Sequence, residues 1–261
     1  MKIRSLPILK VEIDPLNYPR ALRKISLWIK EKRKTYVCVA NVHLIMECQK
    51  DGKLLKGVNS AGLITPDGMP LVWLLKLYGK KTERVYGPTL MIHICGLAQR
   101  HGYKIFLLGG LKGLTRKLKQ SLLKTYPRIK IVGGVDTPQR SISEDKNEAL
   151  LRKINQSSAQ IVFVGMGCPY QELWMIKNRA KLNANILIGV GAAFDYFSGR
   201  RKQAPNWMQK IGFEWLFRFL QEPVRLWRRY TLVNFEFVYK ILVQVSKDFL
   251  FSKTMRFKFL Q

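Results

Sequence analysis

Apolar positions along this chain follow two patterns: short β-branched runs, and longer stretches in which they recur every three or four residues. The runs at 35–40 (TYVCVA), 63–65, 103–108, 129–132, 160–164 and 186–190 predict buried strands. Between them lie helical patterns. One opens at Asp14-Pro15 or Asn17 and reaches about Arg33, with Leu22, Ile25, Leu27 and Ile29 as its apolar face. HLIMECQ and KLLKGVNSA read as short helices around Asp51-Gly52, and 70–78 as a helix with Pro70 in its first turn. A further helix opens at Thr89, and 114–125 is amphipathic. Ser141 and Glu144 have the spacing of a capping box before a helix that ends near Asn155. Strands alternating with helices of this length predict a Rossmann-like α/β fold, a mostly parallel sheet flanked by helices.

Ligands of such sheets sit at the carboxyl ends of the strands. Asn41, Asp67, Gly109, Gly133, Gly165 and Gly191 all fall at that predicted edge. From about Gly199 the pattern changes. Trp207, Ile211, Trp215 and Phe219 recur every four residues, Pro223 interrupts, and a second helix is expected from Val224 to about Lys247. The reading is an α/β domain over 1–198 and a basic, amphipathic helical appendage over 199–261.

Charge narrows the partners. The net charge is +29, which implies an anionic partner: nucleic acid, an acidic lipid surface or a phosphorylated substrate. The appendage carries thirteen Lys and Arg against four acids, +9 of that total, so the core is basic too and charge alone does not locate the partner. Residues 1–19 lack the apolar core of a signal peptide. The most apolar late stretch, 232–251, is interrupted by Glu236, Lys240, Lys247 and Asp248, too polar for a span of about 20 apolar residues. A chain of this kind would lie on a membrane, not cross it. Cys38, Cys48, Cys95 and Cys168 form no CxxC pair, which argues against a disulfide framework or zinc site and fits a reducing cytosol. His43, His93 and His101 show no metal spacing, and no D-x-D pair occurs, so no metal site is expected.

Several residues have two readings. Asp67, in TPDG, is either turn chemistry or a general base at the ligand edge. Arg84, in ERVYGPTLM, is either solvated or facing a diphosphate. Gln171, in GCPYQE, caps a helix or donates to a phosphate or sugar at its N-terminus. Gly109-Gly110-x-x-Gly113 has the shape of a phosphate loop without the full dinucleotide or P-loop signature. Trp207, Trp215, Phe219, Trp227 and Phe235, interleaved with Arg218, Arg225, Arg228 and Arg229, fit an interfacial helix, a core packed on the sheet, or a stacking surface for single-stranded nucleic acid.

In order, the motifs are a strand followed by N-x-H, then TPDGMPLVW, ERVYGPTLM, FLLGG, VGMGCPYQE and GVGAAFDYFSGRRKQAPNWMQKIGFEWLFRFLQEPVRLWRRY. This series closely resembles the WecG/TagA/CpsF family of bacterial glycosyltransferases over about 35–230. The resemblance implies a metal-independent inverting transferase that needs no cofactor. Its donor would be a UDP-sugar and its acceptor a polyprenyl-diphosphate-linked saccharide, in cell-envelope or exopolysaccharide synthesis. Asp67 would be the base, and Arg84 and Gln171 would share the catalytic site. Asn41, Gly109, Gly110, Gly165 and Gly191 would bind substrate. Arg218, Arg225 and Arg228 would fold over the site on an anionic membrane surface at the cytoplasmic face. Self-association is also implied. Two positions depart from the family pattern: Val39 where a Thr is common, and Thr89 where an Asp is common. A nucleic-acid-binding module or a non-catalytic scaffold of envelope assembly are the competing readings; the first does not explain TPDG, GCPYQE or the glycine edge, and the second would keep the membrane helix but need no Asp67.

Overall fold

The computed structural model describes residues 5–138 and 142–258, with side chains described to residue 250. The chain opens with a hairpin, β1 (Leu6–Ile8) and β2 (Val11–Ile13), then α1 (Tyr18–Lys30). There follow β3 (Thr35–Ala40), α2 (Val42–Lys50), α3 (Gly52–Asn59), β4 (Leu63–Pro66), α4 (Met69–Leu77) and α5 (Gly87–His101). The second half adds β5 (Lys104–Gly109), α6 (Leu114–Thr125), β6 (Lys130–Val135), α7 (Glu144–Gln156), β7 (Ile161–Gly165), α8 (Tyr170–Asn178), β8 (Ile186–Gly189) and α9 (Ala193–Phe197). Four helices close the chain: α10 (Asn206–Ile211), α11 (Glu214–Gln221), α12 (Pro223–Tyr230) and α13 (Leu232–Lys258).

Strands β3 to β8 form one six-stranded sheet in the order β4-β3-β8-β7-β5-β6, and every pairing is parallel. A sheet covered on both faces needs strands apolar at every position, which is why TYVCVA is buried throughout. Tyr36, Cys38 and Ala40 face one core with α2, α3, α4, α8 and α13; Val37 and Val39 face the other with α1, α5, α6 and α9. The helices after β3 and β8 leave for opposite faces, α2 to one and α9 to the other. Those neighbouring strands therefore open a crevice at their carboxyl ends, the switch point where ligands bind.

The structure departs from the sequence reading in six places. The hairpin was not anticipated: Leu9 and Lys10 both take positive φ, 45° and 70°, a turn that normally announces itself with Asn-Gly. In α1, Leu27 points outward and Trp28 inward, since Ala21, Ile25, Trp28 and Ile29 share the helical face. Strand β6 runs through Gly133-Gly134 to Val135, so Gly133 is not at the ligand edge. The Phe106 ring lies over Gly133, 2.5 Å from where a Cβ would stand. The four-residue periodicity after 207 breaks at Gly212, left-handed at φ 87°, into α10 and α11. The later helix breaks at Thr231 into α12 and α13. Helix α7 has Ser143 at its N-cap, and Ser141 lies outside the described residues.

Candidate active site

At the carboxyl edge of the sheet the loops after β3, β4, β5, β7 and β8 surround a polar cavity of about 520 Å³, roofed by α11 and α12. The structure brings most of the sequence-predicted residues to it. Asn41, Asp67, Gly110, Gly165, Gly191 and Gln171 line it from the sheet side, and Arg218, Arg225 and Arg228 from the helices. Gly109 stands one residue behind the lining. Its φ is 129°, and a Cβ there would sit 2.5 Å from the Gly165 carbonyl carbon, so β5 and β7 approach too closely for any side chain.

Asp67 is held at the edge by its backbone. Its N–H donates to the Ala40 carbonyl at 2.8 Å, continuing the β4 to β3 pairing one residue past the strand. Arg84 Nε donates to the Asp67 carbonyl and its Nη2 to Asp67 Oδ1 at 3.3 Å. The same Nη2 donates to Glu214 Oε2 at 2.6 Å, and the guanidinium lies 4.2 Å from the centroid of the Tyr86 ring. Tyr86 donates its hydroxyl to Glu214 Oε1 at 2.8 Å. Glu214 is buried in the first turn of α11, so one arginine and one tyrosine of the α/β domain fasten the roof. Burial opposes the Arg84 charge, but the two carboxylates more than offset it and raise its pKa. Burial pushes the Asp67 carboxyl up to about 6; Arg84 pulls it down and Glu214 pushes it up. A carboxylate titrating there is poised to take a proton near neutral pH.

Gln171, in the first turn of α8, is buried with both ends engaged. Its Nε2 donates to Glu172 Oε1 at 2.8 Å and its Oε1 accepts from the Gly191 N–H at 3.1 Å, tying the loop after β7 to the loop after β8. Glu172 is fully buried, its Oε2 lacks a hydrogen-bond partner, and burial pushes its pKa up to about 7.

Four groups escaped sequence reasoning. Arg229 reaches into the cavity and donates to Asn41 Oδ1 at 3.4 Å; burial lowers its pKa, and Arg218 and Arg225 add repulsion. Asn41 is also the N-cap of α2, accepting from the Leu44 N–H. His43 lines the same cavity, its pKa lowered to about 4 by burial and by Arg229, so it is neutral. Glu214 and Tyr86 complete the set. The alternation of Arg and aromatic residues showed that α11 and α12 were amphipathic. It could not show that Arg229 turned inward, because α12 starts anew after Glu222 and its phase does not follow from that of α11. Arg201 and Arg225 are less available: both pair with Glu222, and Arg201 also lies 3.6 Å from Asp195.

Asn41, His43, Asp67, Arg218 and Arg229 line a second cavity as well. This groove, of about 610 Å³, leaves the shared residues between α4 and α13 and is walled by apolar side chains. Arg84 opens on this side. Asp67 thus stands where a cationic pocket meets an apolar one. Among the described residues, no group of three or more His, Cys, Asp or Glu could hold a metal ion, and no helix is long and apolar enough to cross a membrane.

The chain is similar to known proteins over most of its length. It is 29% identical over 203 residues to the N-acetylglucosaminyldiphosphoundecaprenol N-acetyl-β-D-mannosaminyltransferase of Bacillus subtilis strain 168, covering 77% of each chain. It is also 29% identical over 208 residues to the enzyme of that name from Bacillus spizizenii, covering 78% of this chain and 77% of the other. The family model described as glycosyl transferase WecG/TagA/CpsF matches residues 6–249, further in both directions than the motifs alone. With a parallel sheet, a cationic cavity at its carboxyl edge and this match, the chain belongs to the WecG/TagA/CpsF family of glycosyltransferases.

Proposed function

We propose that this protein transfers a sugar from a UDP-sugar to a saccharide carried on a polyprenyl diphosphate, by direct displacement with inversion. The observation that carries the reading is the position of Asp67, a carboxylate raised to about 6 at the junction of a cationic and an apolar cavity. The nucleoside diphosphate occupies the polar cavity against the glycine turns after β5, β7 and β8. Asp67 takes the proton of the acceptor hydroxyl as its oxygen attacks the anomeric carbon. Arg218 and Arg229 receive the charge that develops on the leaving diphosphate; cations already fixed in a buried site need little reorganisation to do so. Arg84 keeps the Asp67 carboxylate aimed and fastens Glu214, so that α11 is in place when the arginines are needed. Gln171 sets the spacing between two loops that face the donor. No step in this scheme calls for a divalent metal, so activity should survive EDTA.

The exposed faces of the closing helices support a membrane as the place of reaction. Trp207 is 62% exposed and Phe235 76%, with Trp215 and Trp227 also in solvent. Arg228 lies 5.9 Å from the Trp227 ring, the mixture of aromatic and basic side chains that seats a helix at an anionic interface. Those faces support a peripheral seat on an anionic membrane; the cytoplasmic face is part of the same proposal, as the side on which a UDP-sugar would be met.

The relatives' names make N-acetylmannosamine the first sugar to test and N-acetylglucosaminyl-diphosphoundecaprenol the first acceptor. The test incubates the protein with that acceptor in vesicles and each of a panel of UDP-hexoses, and reads the lipid product by mass. One added sugar residue from one donor supports the reading. Unchanged lipid with every donor, from protein that UDP stabilises thermally, overturns it.

A further inference from the structure

Glu172 does not line the polar cavity, and its burial is costly. It is 0% exposed, in the first turn of α8. Its Oε1 accepts from Gln171 Nε2 at 2.8 Å, and its Oε2 lacks a hydrogen-bond partner. A carboxyl buried with one oxygen unpaired costs stability, so a role in holding the fold together does not explain it.

What it touches is the amide of Gln171. That amide lies against the backbone of β8: a Cβ at Gly189 would stand 2.9 Å from its Nε2. The two ends of an amide are alike in shape and opposite in hydrogen bonding. The Gly191 N–H, 3.1 Å from Gln171 Oε1, can only donate, so the amide must turn its oxygen that way. Its NH₂ then needs an acceptor at the other end, and Glu172 Oε1 is that acceptor. Gly191 is left-handed, with φ 55°, and lines the cavity. Carboxyl, amide and turn therefore form one relay of hydrogen bonds from the interior to the site.

We propose that Glu172 is a positioning residue: ionised, it orients the Gln171 amide, which holds the Gly191 turn in the shape that receives the donor's diphosphate. The donor clause rests on the transferase reading; the relay does not. A carboxylate only accepts, so it permits one orientation of the amide. A carboxylic acid carries an O–H that can donate to the amide oxygen. The amide then turns, its NH₂ meets the Gly191 N–H donor against donor, and the turn is released.

Both forms exist near neutral pH. Burial pushes the Glu172 carboxyl up to about 7, while Gln171, its own backbone amide, Cys168 and Arg229 pull it down. The groups that face it are Cys168 in the turn before α8, Cys38 in β3, Cys48 in α2 and Arg229 in α12. Glu47 of α2 acts on two of those thiols, Cys48 and Cys168. Burial raises all three thiols, so they stay neutral and Arg229 is the charge among these neighbours.

The test reads the turn itself and then the donor site. Full-length protein carrying isotope-labelled glycine is titrated by NMR without ligand. The Gly191 N–H resonance should move with a midpoint near 7 in the wild type. It should hold still in Glu172→Gln, whose amide oxygen keeps the acceptor and cannot ionise. UDP affinity, measured by calorimetry, follows the fraction of protein in the binding form. Relative to Glu172→Gln, the wild type should therefore weaken about tenfold from pH 8 to pH 6. The ratio cancels Asp67 and the terminal phosphate of UDP, which titrate with both proteins. Glu172→Met, of like volume without the acceptor, should bind UDP more weakly than Glu172→Gln at either pH. A Gly191 resonance that does not titrate, or titrates equally in Glu172→Gln, overturns the relay. An affinity ratio equal at both pH values, or Glu172→Met binding as tightly as Glu172→Gln, overturns its role at the donor site. If UDP binds none of these proteins while Gly191 titrates in the wild type and not in Glu172→Gln, the relay stands and the donor reading falls.

Discussion

The sheet edge and the four closing helices build the same site by different means. The edge contributes backbone: close-packed glycine turns, an N-cap at Asn41, and Asp67 fixed by the hydrogen bond of its own amide to Ala40. The helices contribute charge on side chains: Arg218, Arg225, Arg228 and Arg229. Only a few polar contacts hold one to the other near the chemistry, chiefly Arg84 and Tyr86 to Glu214 and Arg229 to Asn41. Farther away the attachment is firmer. Phe237 and Ile241 enter the core beside the sheet. Gln244 bonds the hairpin at both ends, accepting from the Leu9 N–H and donating to the Pro7 carbonyl. A rigid edge under a charged roof with few ties suggests a division of labour: the edge orients, the roof supplies electrostatic stabilisation.

That contrast can be broken on either side. On the edge, Asp67→Asn removes the proposed base and should lower kcat by about 10²–10⁴, while UDP affinity measured by calorimetry stays close to wild type. On the roof, Arg218→Ala removes one fixed cation from the leaving group and should lower kcat by about 10²–10³, the scale for one preorganised donor. The loss should fall on kcat more than on the KM for the donor. At the tie between them the effect is smaller and shows as pH dependence. Glu214 raises the Asp67 pKa, so Glu214→Gln should move the acid limb of the kcat/KM profile to lower pH. An unmoved limb would mean that the roof does not reach the base. A further effect, away from the chemistry, is on stability. The folded pKa of Glu172, about 7 against an ordinary 4.5, is raised. Its contribution is therefore fullest below the ordinary value and lost as pH rises through 7. Thermal melts of the wild type should fall between pH 5 and 8, and Glu172→Gln should flatten that slope, by about 3 kcal/mol at most.

What could be read from the chain follows the same division. Strands buried on both faces must be apolar at every position, so TYVCVA and its counterparts were legible, and with them the edge that carries Asn41, Asp67, Gly165 and Gly191. The place of Asp67 was legible for the same reason: a carboxylate one residue past a strand has few places to go. The roof was not. Its helical phase restarts at Gly212 and again at Glu222-Pro223, so the four-residue pattern from Trp207 to Phe219 does not carry over into α12. Arg229 therefore turned inward unannounced. The partner of Arg84, Glu214, lies 130 residues away in sequence, a pairing no local pattern encodes. The N-terminal hairpin was hidden because Leu9-Lys10 carries none of the residues that usually tolerate positive φ. The change in surface character at Gly199 was visible, but not that α13 would return to pack beside α2 and the hairpin.

The most direct measurement is the pH dependence of kcat/KM for the acceptor in the wild type, the parameter that reports the free enzyme's ionisations. A base that must be deprotonated, with a carboxyl raised to about 6, gives a kcat/KM that climbs with unit slope below that value and levels off above about pH 7. A kcat/KM flat from pH 5 to pH 8 would contradict Asp67 as the group that takes the acceptor's proton.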